Sequence, residues 1–167
     1  MVSDVDIACL LSGGLDSSII TAIVAKNRDK TLDTYSIDYE DNDKYFQKTK
    51  FTVSQDNDYI KLMSETFKTN HYYKVITQHK LAKYLKESVI ARDLPGMADI
   101  DSSLLWFSKQ IKKKHKVILS GECADEIFGG YPWFYREEVR NREYFPWLDS
   151  IDYRNKLLKK ELQEKLK

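Results

Sequence analysis

Short apolar runs alternate with segments of helical periodicity along this chain, and that alternation narrows its fold more than any other feature. Asp6–Leu11 (DIACLL) reads as a buried strand that ends directly in Ser-Gly-Gly. Ile19, Ile20, Ile23 and Val24 then recur at helical spacing, which predicts a helix over Ser17–Lys26. Thr34–Tyr39 reads as a second strand, and the polar stretch Asp41–Gln55 as a surface loop with a short helix. Asp56-Asn57-Asp58 offers a cap for a helix carrying Ile60, Met63 and Phe67 and closed by Asn70. His71–Ile76 reads as a third strand. Thr77 then caps a helix whose Leu81, Tyr84, Leu85, Ser88 and Val89 share one face, until Pro95 and Gly96 break it. Asp101–Lys113 is expected as a helix with Leu104, Phe107 and Ile111 inward, and Lys116–Ser120 as the fourth strand. Strands separated by helices imply right-handed crossovers, hence an α/β fold with a parallel twisted sheet flanked by helices. Ligands of such sheets sit beyond the carboxyl ends of the strands, where strand order reverses.

Composition removes several classes of function. The 167 residues fit one domain, and a hydrophobic fraction of 42% supports a core that a disordered chain could not build. Lys+Arg 27 against Asp+Glu 26 leaves a formal charge of +1, which gives no general attraction to nucleic acid or anionic lipid. The longest apolar stretch, Ile19–Ala25, falls far short of the roughly 20 residues a membrane helix needs. No charged-apolar-small pattern opens the sequence, so a secretory signal is not expected. Cys9 and Cys123 cannot form a disulfide framework, so a reducing cytoplasm is the expected compartment. After Tyr131 the texture changes: Trp133, Phe134, Tyr135, Tyr144, Phe145 and Trp147 crowd together, and Asp152–Lys167 follows as an expected charged helix. The expected division is a domain over 1–147 and a helical extension over 148–167. The extension's seam of Leu157, Leu158, Leu162 and Leu166 has no evident cover, which predicts further chain beyond it or self-association through it.

Glycine usage locates the chemistry. Five of the six glycines fall in Leu11–Ser18 (LSGGLDSS) and Ser120–Tyr131 (SGECADEIFGGY), each directly after a predicted strand. In the first, a strand, a Ser-Gly-Gly turn and a helix start present backbone N–H groups and the helix dipole to a phosphate. Ser12, Ser17 and Ser18 add hydroxyls. The Lys-Ser/Thr of a Walker A loop is absent, as is the G-x-G-x-x-G of dinucleotide binders. Asp16 would repel a phosphate unless a cation such as Mg²⁺ lay between them; otherwise it only complements the dipole of its helix. In the second segment Glu122, Asp125 and Glu126 follow the last strand. Asp125 could share Mg²⁺ with Asp16, and Glu122 could take a proton from an attacking nucleophile, while Glu126 reads as a helix-start acid. Cys123 reads as a small packing residue, and His71, His79 and His115, lacking metal-ligand spacing, as surface or strand residues. The residues alone point to a magnesium-dependent nucleotide site with a candidate base.

LSGGLDSS resembles the pyrophosphate loop of the N-type ATP pyrophosphatase superfamily, whose members cleave ATP between the α and β phosphates and adenylylate a substrate. Together with MVSDVDIACLLSGG, the segment SGECADEIFGGYPWF resembles the synthetase domain of the glutamine-hydrolysing asparagine synthetases, from Val2 to about Trp147. The resemblance implies a Rossmann-like sheet of the adenine nucleotide alpha hydrolase type. It implies that Ser12, Gly13, Gly14, Asp16, Ser17 and Ser18 hold pyrophosphate, with Asp16 and Asp125 on Mg²⁺. Leu10, Ile37, Ser120 and Gly121 would contact adenosine and the α-phosphate. Glu122 would act as base when ammonia attacks a β-aspartyl-AMP intermediate made from aspartate. The family's amino-terminal glutaminase domain, with its leading cysteine, has no counterpart here. Neither has a downstream lysine that steadies the α-phosphate, so the chain reads as an excised domain or partial chain, expected to be inactive on its own. Leu94–Ser103 (LPGMADIDSS) lies where the acceptor pocket is expected. Asp99 and Asp101 would disfavour aspartate if they pointed inward, and would then favour an amide- or lactam-forming relative with another carboxylate acceptor. A module that has lost catalysis is the third reading, and the intact Asp16, Glu122 and Asp125 oppose it.

Overall fold

A computed structural model describes residues 3–47, 56–141 and 155–165. The chain divides into two compact units, Met1–Glu122 and Cys123–Lys167. In the first unit, β1 (Ile7–Leu10), β2 (Asp33–Tyr39), β3 (Asn70–Ile76) and β4 (Val117–Leu119) form one sheet in the order β3-β2-β1-β4. Every pairing is parallel, with Ala8 opposite Asp33, Ile7 opposite Val117 and Asp33 opposite Asn70. The chain steps outward from β1 to β3 and then crosses back to place β4 on the other side of β1. Strand order therefore reverses at β1 and β4, which sets the ligand edge beyond their carboxyl ends.

Alternate residues of each strand face opposite layers. Ala8, Tyr35 and Ile76 bury one face against Trp106, Phe107 and Ile111 of α5 (Ala98–Ile111), with Leu81 and Tyr84 of α4 (Gln78–Arg92) packed alongside. Cys9 and Leu32 bury the other face against Val24 of α1 (Leu15–Lys26), and α3 (Asn57–Phe67) lies beside α1. The short α2 (Asn42–Tyr45) follows β2 as the expected loop helix, while residues 48–55 lie outside the described residues.

Several expectations change. Helix α1 starts at Leu15, and its buried face is Ser17, Thr21 and Val24, leaving Ile19 and Ile23 about half exposed. Leu104 points outward, because the buried side of α5 runs through Ser102, Ser103, Trp106 and Phe107. Leu85 and Val89 are also exposed, so α4 buries Ser88 on a narrower face than its apolar residues outline. Lys68, in a left-handed conformation, ends α3, and Asn70 opens β3, donating to Asp33 across the strand pair at 3.0 Å. His115 is neither a surface nor a strand residue: it is buried after α5, with Nε2 2.8 Å from the Asp33 carboxylate. Burial pushes the Asp33 carboxyl up, but hydrogen bonds from Lys114, Asn70 and His115 outweigh it and hold that group below its usual range.

The second unit carries α6 (Ala124–Phe128), α7 (Pro132–Tyr135), α8 (Glu137–Arg140) and α9 (Lys160–Lys165). Tyr131 stacks on Trp133 with centroids 4.3 Å apart. Cys123 is exposed rather than packed inward, and its φ of 67° is a backbone region that suits glycine. The expected helix over Asp152–Lys167 is interrupted by a turn after Asn155 before α9 begins. Leu157 and Leu162 are exposed there, and Leu166, Tyr144, Phe145 and Trp147 lie outside the described residues.

Candidate functional site

Beyond β1 the chain bends sharply through its first glycine segment. Gly13 has φ of +86°, and a Cβ added to it would lie 2.7 Å from the Asp56 carbonyl oxygen, so both conformation and space demand glycine. Gly14 has neither constraint, its nearest neighbour being Ser12 Oγ at 3.4 Å. The buried Ser17 hydroxyl ties the loop together: it donates to Gly14 O at 3.1 Å, accepts from Ser12 N at 3.2 Å and lies 2.9 Å from Ser12 Oγ. Ser18 N closes the first turn of α1 on Gly14 O at 3.1 Å. The backbone N–H groups of Gly13, Leu15, Asp16 and Ser17 have no hydrogen-bond partner among the described residues. These are the orphan donors at the positive end of a 12-residue helix, and together they suit an anion.

The second glycine segment meets the first. A Cβ on Gly121 would fall 2.9 Å from Ser17 N and 3.0 Å from Asp16 Cβ, so the backbone after β4 rests directly on the first turn of α1. Ser120 Oγ accepts from Glu122 N at 3.1 Å, which turns the chain and leaves Glu122 exposed at the same edge. Asp125 belongs to the second unit, in the first turn of α6. The Asp16 carboxylate makes no hydrogen bond or ion pair among the described residues. Mg²⁺ is characteristically held by one or two carboxylates together with substrate phosphates rather than by an all-protein cage. A free carboxylate beside unpaired N–H donors fits that ion.

A cleft of about 590 Å³ opens beside the loop, lined by Leu10, Ser12, Ile37, Tyr39 and Phe107 among others. Leu10 and Ile37 thus line one cleft with Ser12. Asp38 also lines this cleft, although the sequence reading did not single it out. The available signal was its place at the carboxyl end of β2. Its Oδ1 accepts from Asn42 Nδ2 at 2.7 Å and from Tyr39 N at 2.8 Å, and its Oδ2 from the Tyr73 hydroxyl. Burial first, and then the Asp38 carboxylate, push the Tyr73 phenol up to about 12, so it stays a donor.

Asp99 and Asp101 do not line the cleft. Both sit in the first turn of α5, Asp99 exposed and Asp101 paired with Arg92 at 2.6 Å. The neighbouring Ser103 accepts from the Tyr39 hydroxyl at 3.0 Å, which ties α5 to the cleft wall.

The sequence matches the profile of the family described as asparagine synthase over residues 1–167. It is 55% identical to the glutamine-hydrolyzing asparagine synthetase 3 of Bacillus subtilis (strain 168) over 170 residues, covering 99% of this chain and 27% of that protein. It is 36% identical to asparagine synthetase 1 of the same organism, covering 83% of this chain and 20% of that protein. It is 31% identical to asparagine synthetase B of Escherichia coli (strain K12), covering 81% and 25% respectively. The chain spans about a quarter of the length of these relatives. No described helix is long and apolar enough to cross a membrane. With a glycine loop at the strand switch point, a parallel sheet of order 3-2-1-4 and a match along its whole length, the chain belongs to the asparagine synthase family.

Proposed function

We propose that this chain is the part of an amide-forming ligase that binds Mg·ATP and activates aspartate, the amide nitrogen coming from ammonia supplied by glutamine hydrolysis elsewhere in the enzyme. The observation that carries this reading is the packing of Gly121 on the first turn of α1, which joins the N–H donors of one loop to the edge where Glu122 lies exposed. Gly13, Gly14 and the first turn of α1 take the β and γ phosphates, with Ser12, Ser17 and Ser18 shaping the loop. Leu10 and Ile37 hold adenosine in the cleft, and Ser120 and Gly121 meet the α-phosphate. Asp16 and Asp125 are the proposed Mg²⁺ ligands, the latter on sequence grounds alone; the ion would offset the charge of the departing pyrophosphate. An aspartate β-carboxylate oxygen attacks the α-phosphorus, and the bond to pyrophosphate breaks. Ammonia nitrogen then attacks the acyl carbon, the bond to AMP oxygen breaks, and Glu122 accepts the proton that nitrogen loses. A carboxylate needs this activation because its own oxygen is a poor leaving group.

Two variants test separate halves of the reading. Asp16→Asn should abolish magnesium-dependent binding of ATP in isothermal titration while the fold persists. Glu122→Gln should leave that binding intact and lower ammonia-dependent asparagine formation in the complete enzyme by about 10²–10⁴-fold, as expected for a lost general base. Equal ATP affinities for wild type and Asp16→Asn would reduce Asp16 to a dipole-complementing residue, and normal turnover by Glu122→Gln would remove it from the reaction.

A further inference from the structure

We propose that Asp38 reads the base of the bound nucleotide, accepting a hydrogen bond from the 6-amino group of adenine and rejecting 6-oxopurines. This rests on the reading above that the cleft holds a nucleotide. Asp38 stands at the carboxyl end of β2, next to β1 and its anion loop, and lines the same cleft as Leu10, Ile37 and Phe107. Among the described residues three contacts fix its carboxylate: Tyr39 N at 2.8 Å and Asn42 Nδ2 at 2.7 Å on Oδ1, and the Tyr73 hydroxyl on Oδ2. A carboxylate has about four acceptor positions, so among the described residues Oδ1 is filled and Oδ2 keeps one open.

Charge and count then select the partner. A carboxylate cannot face the phosphates without a cation, so it must meet the nucleoside end, whose donors are the amino group and the ribose hydroxyls. Taking both hydroxyls of a ribose diol requires two open acceptor positions. One remaining acceptor position on a rigid side chain, beside apolar walls suited to a flat purine, matches one N–H of an amino group. A 6-oxo group would place an acceptor against that acceptor, leaving both unpaired in a partly buried site. Tyr73 also lies 3.3 Å from Asn57 Oδ1, so an amide at position 38 keeps a satisfied neighbour when the phenol turns toward Asn57.

The test compares Mg·ATP and Mg·ITP, which differ in the group at purine position 6, in equilibrium binding to wild type and Asp38→Asn. Wild type is expected to prefer ATP, and Asp38→Asn should shrink the ATP-to-ITP ratio by about 10–100-fold, the worth of one hydrogen bond to a charged group. The asparagine can offer an N–H to the 6-oxo group, so ITP binding should hold or improve. An unchanged ratio overturns the proposal. So does a variant that instead loses discrimination between ATP and its 2′-deoxy or 3′-deoxy analogues, because Asp38 would then read ribose. Wild type that binds no nucleotide would overturn the nucleotide reading itself, an outcome distinct from both. Should Asp38→Asn fail to fold by circular dichroism, Tyr73→Phe decides: it keeps the carboxylate, removes one anchor, and should reduce the ratio, an unchanged ratio again being fatal.

Discussion

Two adjacent glycines answer to different physics, and that difference can be measured. At Gly13 the positive φ and the Asp56 carbonyl oxygen 2.7 Å from an added Cβ both oppose any side chain. Gly13→Ala should therefore destabilise the protein by about 1–3 kcal/mol from backbone strain alone, before the steric contact is added. Gly14 has φ of −68° and only an ordinary contact at 3.4 Å. Gly14→Ala should leave the unfolding free energy from urea titration within about 0.5 kcal/mol of wild type, as at sites without special features. A Gly14→Ala loss as large as that of Gly13→Ala would show that the loop has another shape. Position-by-position reading of the sequence marks both glycines equally, because composition records that a turn is sharp and not which residue makes it. Asp38 escaped notice for a related reason: one acid among many surface acids acquires meaning only when Asn42, Tyr73 and the cleft are in place.

The strands were the most legible elements, because a short apolar run between turn residues has few alternatives in an α/β chain. Helix faces were less so. The apolar stripe of α1 predicts burial of Ile19 and Ile23, yet the sheet takes Ser17, Thr21 and Val24, small residues that allow close approach. Register and neighbours across strands are likewise invisible in a linear pattern, and His71 shows what they decide. Its ring bridges from Nδ1 to Thr34 Oγ1 at 2.9 Å and from Nε2 to Ser36 Oγ at 2.8 Å, linking β3 to β2. Burial lowers the ring's pKa from its usual value, so the folded state favours the neutral form. The unfolded chain then binds more protons between the lowered value and about 6.5, and stability rises with pH across that window. The His71 contribution should be complete above about pH 6.5 and decline as pH falls through it, levelling off below the folded-state value. Urea midpoints of wild type and His71→Gln, compared between pH 5 and 8, should converge as pH falls; parallel curves would mean that the ring titrates normally.

At the scale of the molecule, the reversal of strand order at β1 and β4 explains why two glycine segments more than a hundred residues apart in sequence serve one edge. That meeting was readable in outline, since both segments follow strands of a parallel sheet, but the contact of Gly121 with Ser17 N needed coordinates. The cysteines bear on the proposed nitrogen source. Hydrolysing glutamine requires a thiolate or similar nucleophile with a base or amine beside it. Cys9 lies inside β1 with no exposed surface, and burial pushes its thiol up to about 11, far from a reactive thiolate. Cys123 is exposed, but no base among the described residues hydrogen-bonds to it. This chain should therefore release no glutamate from glutamine above the uncatalysed rate, with or without aspartate and Mg·ATP, and Cys9→Ser and Cys123→Ser should change nothing in that assay. Any amide it forms is expected to draw on free ammonia. Glutamate release that disappears in Cys123→Ser alone would show that the exposed thiol is an activated nucleophile after all, and the nitrogen source would have to be sought in this chain.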